Sequence, residues 1–305
     1  MIQSDLRTGD LIGIDRTGEA GVVPGFVLIG CPVDEGVIRN GGRPGASHAP
    51  PLIRKHLYKM TPPADRFEPF AAMLEKGLDL GDVTSAGMEE MQQELADRIA
   101  PWLREKVPVI VLGGGHETSY GHYLGYRQAE LPHHIINFDA HSDVRPLKKG
   151  AGHSGSPFRQ ILEDRNTFCR SYYVMGLQPN ATARDHLEFI QERGGDYAFA
   201  PQTDSRLVAG NLGESGQIRS RIMVSIDMDV LDQSVAPGVS APCQDGIPKT
   251  LVLDAARMAG KNRAVASIDL VEINPFFDRD DQTSRLGALI IWNFLYGLSV
   301  RAGRA

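Results

Sequence analysis

The chain has 305 residues, of which 42% are hydrophobic and 23% charged, and its formal net charge is -6 at pH 7. This composition is sufficient for a large core and is ordinary for a globular protein, while the acidic balance gives no support for nucleic-acid binding. The length could hold two domains, but no repeat or Ser/Gly-rich linker interrupts it, and α/β folds commonly reach this size as one unit. We therefore expect a single domain over residues 1–305.

Cysteine usage and the lack of targeting segments indicate the compartment. The three cysteines are widely spaced and odd in number, which suits a reducing compartment without a disulfide framework. The N-terminal segment contains Asp5 and Asp10 and lacks the basic and apolar regions of a signal peptide. The longest apolar stretch, around 288–298, contains Asn293 and is too short to cross a bilayer. These features predict cytoplasmic residence without membrane contact.

Apolar runs alternate with helix-like stretches along the chain. The runs, which predict buried strands, lie at 27–31, 107–112, 135–138, 172–177, 222–226 and 264–268. Helices are predicted at 87–106, 182–193, 249–259 and 283–298, with another beginning near residue 118. In the first helix Met88, Met91, Leu95 and Ile99 recur at spacings of three and four, as on a buried face, and Pro101 is expected to kink or shorten it. The alternation predicts an α/β fold, with a parallel sheet covered by helices on both faces.

Three short segments place acidic or histidine side chains directly after apolar runs. They are GGGHE at 113–117, DAHSD at 139–143 and SIDMDVLD at 225–232. Because side chains on an extended strand alternate between faces, Asp139, His141 and Asp143 would project the same way if the chain stays extended after Phe138.

The other two segments have the same form. Residues 224–226 lead into Asp227 and Asp229, and the apolar residues 109–112 precede the glycines that present His116. Open parallel sheets bind ligands beyond the carboxyl ends of their strands. All six side chains are therefore expected to lie together at that edge of the sheet.

Four carboxylates with two imidazoles and no thiolate form a ligand set that suits Mn²⁺ or a similar first-row ion. Six such side chains are also more ligands than one metal ion ordinarily binds. Two ions that share Asp139 and Asp227 fit better. Such pairs lie about 3.5 to 4 Å apart and lower the pKa of a bridging water from ~15.7 towards ~7, which supplies a hydroxide nucleophile. Alone, His116 could cap a helix and Asp139 could be a turn residue. Burying four carboxylates together without cations, however, costs several kcal/mol each.

The segments GGGHE, NFDAHSD and SIDMDVLD, with APGVSAP following, resemble the ureohydrolases, the superfamily of arginase, agmatinase and formimidoylglutamase. These enzymes hydrolyse carbon-nitrogen bonds at a binuclear manganese centre. The match runs from DEGVIRNGGRPGA at 34–46 to SIDLVEINP at 267–275, and its motifs are highly specific. The resemblance implies an arginase-like fold, two Mn²⁺ per chain and a homo-oligomer. It implies that one metal is held by His116, Asp139, Asp143 and Asp227, and the other by Asp139, His141, Asp227 and Asp229.

Two positions address the substrate. Glu272 stands where ureohydrolases place a carboxylate that holds the cationic guanidinium or amidine, although a salt bridge elsewhere is the alternative. Arg145 lies two residues past Asp143, where arginases carry Asn and agmatinases an uncharged residue. An Arg offers a planar fork to a carboxylate, and formimidoylglutamases show DLR-like sequences at this place. A surface salt bridge is the alternative for Arg145.

The loop at 153–160, HSGSPFRQ, resembles the SGTxF segment of formimidoylglutamases, which makes Ser154 a candidate substrate-binding residue. Arginases and agmatinases have His-Gly in this loop, with the His proposed as a proton shuttle. Here His153 is displaced by one position, so the shuttle role is not carried over, and an exposed loop histidine is the favoured interpretation.

The segment GVIRNGGRPGA resembles RRNxGRxGA of formimidoylglutamases more than the RPGARFGP form of agmatinases. Arg39 is therefore a candidate for binding the second carboxylate of the substrate. Arg43 is expected to hold a loop by bonding backbone carbonyls.

The resemblance implies a hydrolase that converts N-formimidoyl-L-glutamate to L-glutamate and formamide, a late step in histidine degradation. Metal-bound hydroxide would attack the formimidoyl carbon, Glu272 and the ions would stabilise the tetrahedral intermediate, and Asp143 would pass the proton to the departing α-amino group. One alternative is an agmatinase or guanidino-acid hydrolase, although Arg145 should repel the cationic end of agmatine. Another is a non-catalytic ureohydrolase-like binding protein, which predicts a broken ligand set, whereas all six positions are filled.

Overall fold

A computed structural model describes residues 6–14, 23–213 and 220–302. The strands are β1 Gly13–Ile14, β2 Phe26–Gly30, β3 Gly77–Asp82, β4 Val109–Leu112, β5 His133–Phe138, β6 Cys169–Leu177, β7 Asp196–Phe199, β8 Arg221–Asp227 and β9 Val265–Val271. The α-helices are α1 Thr8–Leu11, α2 Glu35–Asn40, α3 Ala49–Tyr58, α4 Phe67–Leu74, α5 Met88–Arg104, α6 Thr118–Gln128, α7 Pro157–Glu163, α8 Arg184–Glu192, α9 Ser205–Leu212, α10 Lys249–Lys261 and α11 Gln282–Ala302.

The strands in the described ranges form one sheet, in the order β1-β3-β2-β4-β9-β8-β5-β6-β7. Every pairing within it is parallel, as the alternating pattern predicted. All carboxyl ends therefore reach the same edge of the sheet. Because β4, β9, β8 and β5 are consecutive neighbours at the centre, the segments that follow these four strands are brought together there.

The two faces of the sheet bury separate cores, because side chains alternate along each strand. On β2, Phe26 and Leu28 join a core that contains residues of α3, α4, α9, α10 and α11. Val27 and Ile29 point to the opposite face and join a core with residues of α5, α6, α7 and α8. Both faces are thus covered by helices, and the predicted α/β architecture is confirmed.

The sequence missed β3 because its pattern, GLDLGD, is interrupted by glycines and aspartates. In the structure these carboxylates are neutralised rather than exposed. The guanidinium of Arg54 on α3 donates to Asp79 at 2.8 Å and also bonds to Asp82, and the hydroxyl of Tyr58 donates to Asp79. A strand that looks too polar for a core is therefore completed by partners that lie 21 to 28 residues away in the chain.

The predicted helix at 87–106 is observed as α5, and its periodic residues Met88, Met91, Leu95 and Ile99 are buried. Pro101 does not end the helix, which continues to Arg104. A proline removes only one backbone donor, and the carbonyl of Pro101 still accepts from the backbone N–H of residue 105 at 3.1 Å.

The helices α10 and α11 approach each other closely at a pair of glycines. A Cβ on Gly260 would lie 2.0 Å from the carbonyl oxygen of Phe294, and one on Gly297 would lie 2.2 Å from that of Arg257. Across the described parts of the chain, no helix is both long and apolar enough to span a membrane.

Candidate metal centre and substrate pocket

The six predicted metal ligands lie together beyond the carboxyl ends of β4, β5 and β8. One group consists of His116, Asp139, Asp143 and Asp227, and a second consists of Asp139, His141 and Asp229; within each group the candidate ligand atoms lie within 4.8 Å of one another. Asp139 belongs to both groups. Asp227 has a carboxylate oxygen within this distance of the other ligand atoms in the first group only. Its role as a second residue that bridges the two metal ions therefore stays a prediction.

The side chains converge because the backbone turns, whereas the sequence argument assumed an extended chain. After β5 ends at Phe138, the backbone N–H of His141 donates to Asp139 Oδ1 at 2.7 Å, and Asp143 has a left-handed φ of 45°. After β8, a 3₁₀ turn begins and the N–H of Asp229 donates to Asp227 Oδ1 at 2.8 Å. The prediction of a cluster was therefore right, but its geometric reason was wrong.

His116 directs one ring nitrogen at the carboxylates. Its Nδ1 lies 3.3 Å from Asp139 Oδ2, 2.9 Å from Asp143 Oδ2 and 3.1 Å from Asp227 Oδ2. None of the described residues, however, forms a hydrogen bond of proper geometry with this buried atom. Its Nε2 lies 3.0 Å from the hydroxyl of Ser225. An imidazole whose second nitrogen is fixed by a neighbour, and whose first nitrogen lacks a partner among oxygen ligands, is what a metal-binding histidine requires.

The electrostatics of the cluster also favour a cation. Burial, together with the nearby Asp229 and Asp139, raises the pKa of Asp227 well above its usual range. Burial likewise raises the pKa of Asp229. Burial alone would lower the pKa of His116, but its three carboxylate neighbours raise it well above the ordinary value. Ionising all of these carboxylates in one buried place is unfavourable without added positive charge.

The donor set fits small divalent ions. Carboxylate oxygen and imidazole nitrogen are ligands of first-row divalent ions such as Mn²⁺ and Zn²⁺, and neither group contains a thiolate. The orphaned Nδ1 of His116 and the raised carboxylate pKa values agree with such an occupant.

A cavity of about 280 Å³ opens beside the cluster. It is lined by Asn40, Gly41, Gly42, Arg43, His141, Asp143, Arg145, Ser154, Asp227, Asp229, Ser240, Ala241 and Glu272. The structure thus places three of the four sequence candidates for substrate binding, namely Arg145, Ser154 and Glu272, at the wall of one pocket that also contains metal-ligand candidates.

Arg145 is half-buried and presents its guanidinium without a carboxylate partner. None of the described residues forms an ion pair with it, so the salt-bridge alternative finds no support. Its Nη1 makes a long hydrogen bond of 3.4 Å to Asn40 Oδ1, and its backbone N–H donates to the carbonyl of Gly155 at 2.9 Å. Asn40 also donates to Ser154 Oγ at 3.2 Å. Asn40, which the sequence did not assign, therefore joins the two candidate substrate residues.

Glu272 follows β9 and has a left-handed φ of 66°. Its backbone N–H donates to the carbonyl of Gly114 at 2.8 Å, and its Oε1 accepts from the N–H of His116 at 2.9 Å. Burial and the neighbouring Glu117 raise the pKa of Glu272 well above its usual range. A strained backbone held by several partners, at a pocket wall, is typical of functional residues.

The structure contradicts two of the sequence predictions, those for Arg39 and His153. Arg39 lies outside the pocket lining, and its guanidinium bonds to Glu35 at 2.7 Å and to Glu89, so it is not placed to bind a carboxylate of the substrate. His153 is buried with 1% exposure, and its Nδ1 accepts from the N–H of Gly155 at 3.1 Å. The expectation of an exposed loop histidine was wrong, because the loop folds around the ring.

Arg43 bonds backbone carbonyls, as expected from its sequence context. Its Nε donates to the carbonyl of Ser240 at 2.9 Å and its Nη2 to that of Val239 at 2.6 Å. It nevertheless lines the cavity, so its charge also contributes to the potential inside the pocket.

A buried polar group behind His116 was not found from the sequence. Ser225 donates to Asp269 Oδ1 at 2.6 Å, and Asp269 lies 2.7 Å from His122 Nδ1. One signal was available, since Ser225 lies two residues before Asp227 and therefore on the same face of β8. Nothing in the sequence reveals that this face also carries Asp269 of the adjacent β9.

Comparisons with known proteins agree with this site. A formimidoylglutamase of Geobacillus sp. (strain WCH70) is 36% identical over 276 residues, which span 86% of this chain and 80% of the relative. A formimidoylglutamase of Lysinibacillus sphaericus is 34% identical over 284 residues, spanning 90% of this chain and 85% of the relative.

Solved structures match over nearly the full length. The crystal structure of Trypanosoma cruzi formiminoglutamase with Mn²⁺₂ superposes with a TM-score of 0.85 at 27% identity, covering 97% of this chain and 99% of that chain. A formimidoylglutamase from Bacillus subtilis superposes with a TM-score of 0.86 at 25% identity, covering 98% of this chain and 94% of that chain. The model of the Arginase family matches residues 24–297. With the parallel sheet and the clustered ligands at its carboxyl edge, this match shows that the chain belongs to the arginase family.

Proposed function

We propose that this chain is a formimidoylglutamase, which hydrolyses N-formimidoyl-L-glutamate to L-glutamate and formamide in histidine degradation. The observation that carries the proposal is Arg145, a guanidinium without a carboxylate partner among the described residues, at the wall of the cavity that also contains Asp143 and Asp229. Because the substrate carries two carboxylates and a cationic amidine, it needs positive and negative groups in the same pocket. The names of the relatives support the same assignment.

We propose two Mn²⁺ as the cofactor, held by His116, Asp139, Asp143, Asp227, His141 and Asp229. A structure of a similar protein with Mn²⁺₂ supports the identity of the ion, and the hard oxygen and nitrogen donors support the class. Bound in such a pair, the ions supply a nucleophile at neutral pH by lowering the pKa of water and polarise the bond to be cleaved.

The residues of this chain orient the substrate around that centre. Arg145 binds a substrate carboxylate through its planar fork, with Asn40 and Ser154 holding the neighbouring wall. Glu272, at the wall of the same cavity, would pair with the cationic amidine. Because this cavity is also lined by Asp143, Asp227 and Asp229, the pairing would hold the formimidoyl carbon near the ligand cluster.

The proton is handled by Asp143. Its carboxylate belongs both to the ligand cluster and to the pocket wall, so it can accept a proton from the attacking water and donate it to the departing α-amino nitrogen. The carbon-nitrogen bond then breaks, with glutamate leaving as the amine and formamide retaining the new oxygen.

A substrate panel tests the proposal. Protein loaded with Mn²⁺ is assayed with N-formimidoyl-L-glutamate, agmatine, L-arginine and 4-guanidinobutyrate, with formamide, urea and the product amine measured. We expect turnover of formimidoylglutamate to exceed that of each guanidino compound. Preferred release of urea from 4-guanidinobutyrate or agmatine would make the chain a guanidino hydrolase, and no turnover of any compound would favour a binding protein.

We further propose that the chain forms one domain over residues 1–305, assembles as a homo-oligomer and works in the cytoplasm. The single sheet in the described ranges supports one domain. Cys31, Cys169 and Cys243 are all unbridged, as suits a reducing compartment. Light scattering on the purified chain, with a mass above that of one protomer expected, tests the assembly.

A further inference from the structure

A second cavity lies at the opposite edge of the sheet from the metal cluster. It has a volume of about 430 Å³ and is larger than the cavity beside the ligands. Its wall includes three residues from the starts of strands. Gly25 lies one residue before β2, Pro108 one residue before β4, and Arg263 two residues before β9. The amino ends of parallel strands share one edge, so this cavity is separated from the carboxyl-edge site by the length of the strands.

The charged groups that line this cavity all carry the same sign. They are Lys76, Lys106, Arg263 and Arg301, and the lining contains no acidic residue. Throughout the described residues, none of the four forms an ion pair. The formal net charge of the whole protein is -6, yet the lining of this cavity contributes four cations and no carboxylate among the described residues. Such a concave positive surface concentrates anions.

Arg301 contributes a guanidinium to the wall of the cavity, and backbone carbonyls hold this group in place. Its Nε donates to the carbonyl of Gly260 at 2.9 Å and its Nη1 to that of Val265 at 3.1 Å. Burial and the charge of Arg263 lower the pKa of Arg301 to about 10. The guanidinium is therefore held in place by backbone carbonyls, two of which, Ala259 and Gly260, belong to the last turn of α10. No carboxylate of the described residues pairs with it, so an anion in the cavity would add the missing full negative charge.

The remaining wall is apolar. Met73 of α4 and Leu298 of α11 face the space, with Pro69 and Pro108 beside them. A hydrated inorganic ion gains little from such a wall, whereas the carbon chain of an organic anion would bury apolar surface there. More than one cation at the rim favours more than one negative charge on the ligand.

We propose that this amino-edge cavity is a binding site for a small organic dicarboxylate, whose carboxylates are bound by Arg263, Lys76, Lys106 and Arg301 and whose carbon chain packs on Met73 and Leu298. The site is separate from the proposed active site, so its existence does not depend on which amidine the enzyme hydrolyses.

The test uses the full-length protein loaded with Mn²⁺ and carrying Arg145→Ala, which removes the group expected to bind carboxylates in the active-site cavity. Calorimetric titrations at constant ionic strength compare glutarate with butyrate, a monoanion, and with inorganic phosphate, which lacks a carbon chain. We expect glutarate to bind most tightly of the three. Equal binding of phosphate and glutarate would overturn the dicarboxylate assignment, and equal binding of butyrate would overturn the charge argument.

Two exposed cations provide the decisive variants. Adding Arg263→Gln or Lys76→Gln should weaken glutarate binding about tenfold or more each, because a charge-assisted bond is lost. Lys249→Gln, at an exposed lysine outside the cavity, should leave binding unchanged. Glutarate binding that is absent, or that survives Arg263→Gln and Lys76→Gln together, would refute the site. Circular dichroism and the melting temperature without ligand check that the variants remain folded.

Discussion

At the scale of single residues, the site depends on two carboxylates in strained backbone conformations. Asp143 and Glu272 both have positive φ values, of 45° and 66°, in a region that costs a non-glycine residue about 1 to 3 kcal/mol. Each is held there by neighbours: the carbonyl of Asp143 accepts from the N–H of Phe158 at 3.2 Å, and Glu272 bonds to Gly114 and His116. The fold thus aims both carboxylates into the same cavity.

Asp139 belongs to both ligand groups, whereas His116 belongs to one. We therefore expect Asp139→Ala to reduce bound Mn²⁺ from about two ions per chain to below one, and His116→Ala to leave about one. Elemental analysis after dialysis against Mn²⁺ measures the stoichiometry. Asp245→Ala, at an exposed carboxylate outside both groups, is the control and should retain the wild-type content. Full metal content in Asp139→Ala would exclude the proposed ligand set.

Arg145→Ala should lower kcat/KM for formimidoylglutamate by roughly one to two orders of magnitude while metal content stays unchanged. The reason is that a charge-assisted hydrogen bond to a carboxylate contributes about 1.5 to 3 kcal/mol. Arg145→Lys should recover only part of the loss, because the bidentate fork is absent.

The matched control for Arg145 is Arg39→Ala, since Arg39 was also a sequence candidate for binding a substrate carboxylate but pairs with Glu35 and Glu89 outside the cavity. Its kcat/KM should remain within a few-fold of wild type. A loss in Arg39→Ala as large as that in Arg145→Ala would reverse the two assignments.

At the scale of elements, the packing of α10 on α11 depends on glycine at the crossing. Gly260 and Gly297 allow the two backbones to approach within a distance that a Cβ would prevent. This contact supports β9, because α10 leads directly into the strand whose end carries Glu272. The packing of this helix pair therefore lies directly before the strand whose end carries Glu272.

Gly297→Ala should destabilise the protein by about 1 to 3 kcal/mol, because its Cβ would meet backbone atoms that cannot move independently. The control is Gly210→Ala in α9, where no atom of the described residues lies within 4 Å of an added Cβ. That change should be neutral or stabilising by up to about 1 kcal/mol, since alanine favours helix. Chemical denaturation measures both. Equal stability of Gly297→Ala and wild type would show that the helices can separate without cost.

At the scale of the whole molecule, the buried acidic groups link stability to metal and to pH. Burial raises the pKa of Glu117 from its ordinary value of 4.5 to about 7, and the carboxyls of Asp227 and Glu272 are raised as well. Unfolded chains release these protons at lower pH than the folded chain does. The metal-free protein therefore loses stability as pH rises from about 4.5 through about 7.

Bound Mn²⁺ should offset this loss, because a cation favours the ionised carboxylates and binds only the folded ligand set. We expect the melting temperature of Mn²⁺-loaded protein to exceed that of chelator-treated protein by a margin that grows between pH 5 and pH 8, on the order of 5 °C. Differential scanning calorimetry at several pH values measures the margin. Glu117→Gln should flatten the pH dependence of the metal-free form. A margin that is constant or shrinks with pH would contradict this linkage.

The sequence by itself predicted six of the nine strands in the described ranges, the parallel sheet and the six ligand candidates, because hydrophobic periodicity and short motifs are local properties of the chain. It also identified Arg145, Ser154 and Glu272, which line the cavity. Only the tertiary structure decided which of the two candidate arginines faces the cavity. Arg39 forms an ion pair with Glu89, 50 residues away in the chain, whereas Arg145 lines the cavity. It likewise decided the burial of His153 and the role of Asn40. These outcomes depend on contacts between segments distant in sequence, and no local pattern records them.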